Sequence, residues 1–148
     1  MIWPGSAARS ACRWAGRLVL VNGHGGNLDA LRTAGAQLRS EGRAVAWFPC
    51  AVAGADAHAG RTETSVVLHV EPDLVRADRA VAGDTTPIAE LLPRLRAEGV
   101  RAVSSTGVLG DPAGASAEEG AELLTGMAGR LAAAVRAWDF DPSGRLRG

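Results

Sequence analysis

The sequence predicts an α/β domain with a mostly parallel sheet, and three observations carry that expectation. A short apolar run at 17–21, rich in Val and Leu, is bounded by Gly16 and by Asn22-Gly23, the pattern of a strand buried on both faces. An amphipathic stretch and a second apolar run follow at once, and strand, helix and strand of these lengths make a βαβ unit with a right-handed crossover. Apolar residues make up 47% of the 148, so a packed core rather than disorder is expected at this length.

In the helix expected from Asn27 to Glu41, Leu28, Leu31, Ala34 and Leu38 recur at spacings of three and four. Asn27 is its expected N-cap and Gly42 its C-terminal stop. The second strand covers 43–48 and ends at Pro49. A loop of small residues, 50–60, leads into a short helix at 62–70. Pro72 opens a turn, and 80–86 is irregular. Helical spacing returns at 88–98, where Pro93 implies a kink or a later start, and 100–104 reads as a possible strand. Ser116 and Glu119 have capping-box spacing for a last helix reaching Trp138, with Leu123, Leu124, Met127, Leu131 and Val135 on its apolar stripe. No repeat or linker divides the chain.

Sixteen basic residues, all arginine and scattered, balance sixteen acidic ones. A neutral chain offers no field for nucleic acid or an anionic membrane, and no apolar stretch has membrane-spanning length. Cys12 and Cys50 are too few and too far apart for a disulfide framework, and they read as buried thiols of a cytoplasmic protein.

Three segments could carry chemistry. In Asn22-Gly23-His24-Gly25-Gly26-Asn27, between a strand and a helix, glycines leave the imidazole unshielded at a strand's C-terminal end, where ligands gather in open α/β sheets. His24 is therefore either a metal or catalytic residue or a turn residue that caps the helix. The spacing fits neither phosphate-loop pattern, which removes nucleotide binding. In Asp56-Ala57-His58-Ala59-Gly60-Arg61-Thr62-Glu63, an imidazole and a carboxylate can converge from a loop and a helix start. One could bind metal and the other move a proton; equally, Glu63 could serve only the helix dipole. The segment Gly107-Val108-Leu109-Gly110-Asp111-Pro112, followed by Glu118 and Glu119, reads as structural. His69, beside Leu68 and Val70, reads as a buried or half-buried structural histidine.

In this order, NGHGGN, DAHAGRTETS and GVLGDPAGASAEEG resemble the hallmarks of the creatininase family, from about Arg17 to Trp138. The flanking SACRWAGRLVLV and AWFPC are similar to a peptidase branch of that family. The resemblance implies a three-layer αβα fold with a mostly parallel sheet, represented here by its C-terminal part (17–138) with the N-terminal strands missing. On that reading 1–16 is a non-native or residual segment, and 139–148 is a polar tail that frays.

The resemblance also implies a two-metal hydrolase using divalent iron, zinc or manganese. His24 and Glu63 fall on metal-ligand positions and His58 on a catalytic histidine. Gly26 stands where a ligand glutamate occurs in some members, so the metal shell must differ, and the family's upstream E-x-H-G-x-H-L-P segment has no counterpart. The implied substrate is a modified precursor peptide, which loses a C-terminal Val-Tyr-derived group. With two ligands the chain is expected to bind metal weakly and to be truncated and inactive or nearly so. The implied assembly is a homo-oligomer. Two alternatives stay open: an amidohydrolase of a small cyclic amide, and a non-catalytic remnant serving as a binding or assembly module.

Overall fold

The structure, a computed structural model, describes residues 4–148. In chain order its elements are α1 (Pro4–Ala11), β1 (Leu18–Asn22), α2 (Leu28–Ser40), β2 (Val45–Pro49), α3 (Arg61–Val70), α4 (Ile88–Glu98), α5 (Val100–Val103) and α6 (Ala117–Ala137), with three short 3-10 turns between them. The sequence shows no internal boundary, yet the folded chain forms two compact units. One joins Met1–Ala51 to Met127–Gly148, and the other is Val52–Gly126. The second boundary falls inside α6, where no proline or polar linker marks it.

In the first unit β1 and β2 pair in parallel, in register from Leu18 with Val45 to Asn22 with Pro49. The expected βαβ unit is present. β2 is the buried strand, with Val45, Ala46, Trp47 and Phe48 at most 7% exposed. β1 is not buried on both faces as expected, since Val21 is 50% exposed and Leu18 to Leu20 are half-buried. Leu31, Ala34 and Leu38 form the inner stripe of α2, as their spacing requires. Leu38 and Val45 pack with Ala8 of α1, which gives that helix a place in the core. Each such large apolar side chain contributes about 1.5–3 kcal/mol on burial.

The tail does not fray. Asp141 Oδ1 accepts the N–H groups of Ser143 and Arg145 at 2.8 and 3.1 Å and folds 141–145 into a turn. Trp47 N–H then donates to Gly144 O and Leu146 N–H to Trp47 O, both at 2.9 Å, along the edge of β2. Leu146, 1% exposed, joins Ala46, Phe48 and Ala134 in the core. Arg17 stacks 4.8 Å over Trp138 and Arg39 lies 5.9 Å over Phe140. The polar composition of 139–148 hid three anchors, Phe140, Asp141 and Leu146.

Other expectations shift locally. Asn27 makes no side-chain cap bond and donates instead to Asn22 Oδ1 at 3.3 Å. Residues 100–103 form the helical turn α5 rather than a strand: Gly99, at φ 80°, ends α4, and Arg94 Nη2 holds the Ala102 carbonyl at 3.0 Å. α4 continues through Pro93. Cys12 is half-buried and Cys50 exposed, not both buried, and both are free. His69 is exposed rather than buried or half-buried: it lies one turn beyond Ser65 on the same face, its Cβ near Gly120, and α3 ends one residue later.

In the second unit α3 meets the first turns of α6 at backbone distance. A Cβ on Gly120 would overlap the Ser65 carbonyl oxygen, so only glycine admits this approach. Ser116 caps α6, accepting the Glu119 N–H at 3.2 Å. The other half of the capping box is replaced: the Ser116 N–H goes to the buried Ser65 hydroxyl at 3.1 Å. Glu119 instead accepts from that hydroxyl at 3.0 Å and from Arg61 Nε at 2.7 Å.

Candidate active-site loops

The Asn22–Asn27 loop leaves the end of β1 in the first unit. Asn22, 7% exposed, braces it: its Nδ2 donates to His24 O at 3.0 Å, and its Oδ1 accepts from His24 N–H at 3.4 Å. The exposed His24 is N-cap of the 3-10 turn Gly25–Asn27, and its Nδ1 accepts the Gly26 N–H at 3.1 Å. A Cβ on residue 26 would lie 2.8 Å from the imidazole Cε1, so glycine there suits this cap. With Nδ1 accepting, the proton of a neutral imidazole sits on Nε2. In this conformation His24 closes its own turn, and ligating a metal would require the ring to release Gly26.

In the second unit the sequence-predicted residues His58 and Glu63 do come together. His58 Nδ1 lies 3.0 Å from Glu63 Oε2, and both side chains are more than half exposed. The same Oε2 accepts the Ala59 N–H at 2.7 Å, which fixes the carboxylate at the first turn of α3. His58 is tied to the Gly107–Pro112 segment, which supports it through backbone bonds alone. Leu109 O accepts the Ala57 and His58 N–H groups at 3.0 Å, and Leu109 N–H donates to His58 O at 2.8 Å. Between His58 and Gly60, Ala59 takes φ 52°, a left-handed conformation rare for a residue with a side chain and typical of constrained sites. A carboxylate facing Nδ1 favours the tautomer that leaves Nε2 free to take a proton, the arrangement of a general base.

A groove of about 840 Å³ adjoins this loop, lined among others by Asp56, Ala57, Arg61, Thr62, Leu109 and Glu119. His58 and Glu63 are not among its lining residues, so it flanks the pair rather than containing it. Arg61 and, to a lesser extent, Ser65 hold the Glu119 carboxyl below its ordinary range. Sequence reasoning passed over Asp56 and the Arg61–Ser65–Glu119 network. The one signal for Asp56 was Gly60, a helix N-cap without a side chain, which demands a capping group from elsewhere.

Among the described residues no three His, Cys, Asp or Glu side chains stand together as a metal-holding group. A catalytic zinc usually keeps three protein ligands. These residues therefore do not build a metal centre by themselves. No helix among the described residues is long and apolar enough to cross a membrane.

Residues 5–135 match the family model described as creatininase, creatinine amidohydrolase. Proteins named mycofactocin precursor peptide peptidase are similar over 93% of the chain: 53% identical in Mycolicibacterium smegmatis, 54% in Mycobacterium ulcerans and 51% in Mycobacterium tuberculosis. The chain spans about half the length of these curated relatives, 56%, 55% and 55% respectively. A crystal structure from Bacteroides fragilis NCTC 9343, of a protein named as a creatinine amidohydrolase, superposes with a TM-score of 0.66 at 22% identity. That match covers 93% of this chain and 60% of the other, and shows the fold.

Proposed function

The chain belongs to the creatininase family, and from that premise we propose that it carries part of a metal-dependent peptidase acting on the mycofactocin precursor peptide. The reaction is hydrolysis of an amide bond near the C-terminus of the modified peptide, releasing its Val-Tyr-derived moiety. The mycobacterial relatives' name supports the substrate, and the observation that carries the chemistry is the His58–Glu63 pair.

In this reading Glu63 orients the imidazole through Nδ1. His58 Nε2 takes a proton from the attacking water and returns it to the leaving amine, which closes the proton balance. His24, in the first unit, and Glu63, in the second, would each offer one donor to divalent iron, zinc or manganese, which when bound would polarise the attacking water. Both bonds to Glu63 fall on Oε2, which leaves Oε1 as the oxygen that would be free for that role. His24 serves once its ring leaves Gly26. With so few donors, this chain alone binds metal weakly and turns over little substrate. The protein works in the cytoplasm as a homo-oligomer.

The test uses the protein isolated from its own cells, with the modified precursor peptide as substrate and mass spectrometry as readout. Release of the C-terminal fragment, slowed by orders of magnitude in His58→Ala, is expected. Turnover of creatinine instead of the peptide would replace this reading with a small-amide hydrolase. Peptide binding without cleavage, unchanged in His24→Ala and Glu63→Ala, would make the protein a binding module.

A further inference from the structure

We infer that Asp56 is a positioning residue for the His58–Glu63 pair, holding it through a carboxylate inserted between Gly60 and Gly110. The inference rests on the reading of His58 as the proton-transfer group. α3 begins behind Gly60, an N-cap with no side chain of its own, so its first N–H groups need an acceptor from elsewhere. Asp56 Oδ1 supplies one, accepting the Thr62 N–H at 3.2 Å.

Two glycines make room for that carboxylate. A Cβ on Gly60 would overlap the Asp56 carboxylate, and one on Gly110 would lie 2.6 Å from Asp56 Cβ. The Gly60 side continues into Glu63, whose Oε2 faces His58 and the Ala59 N–H. The Gly110 side continues into Leu109, which brackets His58 with backbone hydrogen bonds in both directions. One side chain, bonded to Thr62 on one side and packed against Gly110 on the other, therefore lies between the two segments that place the imidazole and its partner. It also bounds the turn in which Ala59 is kept left-handed, a conformation that persists only where its surroundings over-determine it.

The experiment is solution NMR on the full isotope-labelled chain. Two-bond 15N–1H correlations report the His58 tautomer, and the Ala59 Cβ shift reports its left-handed backbone. The unmodified chain and Asp56→Asn, which retains an acceptor for Thr62, are expected to keep His58 in the Nδ1–H form. Asp56→Ala should lose both signatures. Gly60→Ala, which displaces the carboxylate without removing it, should lose them as well, and it serves if Asp56→Ala does not fold. Because both changes break one contact, the double variant should be no worse than Asp56→Ala alone.

Retention of both signatures in a folded Asp56→Ala chain, or in Gly60→Ala, would overturn the inference. In the protein from native cells, Asp56→Ala should lower kcat about a hundredfold, the scale of a small misplacement of reacting groups, with KM little changed and Asp56→Asn restoring most of the rate. Loss of the signatures with no cleavage by any form would leave the positioning role standing and sink the catalytic reading alone.

Discussion

At the scale of single residues, the proposed chemistry rests on side chains five apart in sequence and 3.0 Å apart in space. Replacing His58 with alanine should reduce peptide cleavage by about 10²- to 10⁴-fold, the usual contribution of a positioned acid–base group, as measured by initial rates with folding checked by circular dichroism. His24 makes a different prediction. If its ring closes the loop through Gly26, His24→Ala should lower stability by about 0.5–1.5 kcal/mol, the net worth of one hydrogen bond, in a urea titration without metal. No change would mean that the cap is idle. The His58–Glu63 approach was legible in the sequence because a glycine and a helix start lie between them. Asp56 was not, since its partners are spaces on Gly60 and Gly110, and a space has no sequence signature until the backbone is known.

At the scale of elements, two junctions can be tested. Gly120 lets α6 touch α3, so Gly120→Ala should cost about 1–3 kcal/mol by overpacking in chemical denaturation. The gain in helix propensity that alanine brings at an open site should not appear. In the other unit, Arg9 of α1 grips the Glu41 carboxylate at the end of α2, and Arg43 assists. Those hydrogen bonds, Arg9's first, pull the Glu41 carboxyl from 4.5 to about 2. A depressed carboxyl stabilises the fold above its unfolded value and loses that contribution as pH falls through its folded one. Melting temperature should therefore drop between about pH 4.5 and 2 in the unmodified chain and drop less in Glu41→Gln. Identical pH profiles would remove the pair from the acid response. Helix periodicity made α2, α4 and α6 legible, whereas α5 was misread because Val100 and Val103 favour a strand and only Gly99 and Arg94 reveal the turn.

At the scale of the whole molecule, the metal question is one of numbers of donors. The purified chain, loaded with zinc, iron or manganese and then dialysed, should retain well under one ion per chain. Stoichiometric retention by elemental analysis would show that the described residues suffice. The α/β class was visible from the βαβ pattern, but the division into two units was not, since its boundaries fall in a loop of small residues and inside a continuous helix. The closure of the tail over β2 has a consequence in time. A ribosome releases the chain from its N-terminus, and Val52–Gly126, continuous in sequence, can complete its contacts while synthesis proceeds. The unit that contains β1 and β2 cannot: Phe48 and Trp47 wait for Phe140 and Leu146, roughly a hundred residues later. Until then the edge of β2 that these residues cover stays unpaired, and closure of this unit follows that of Val52–Gly126.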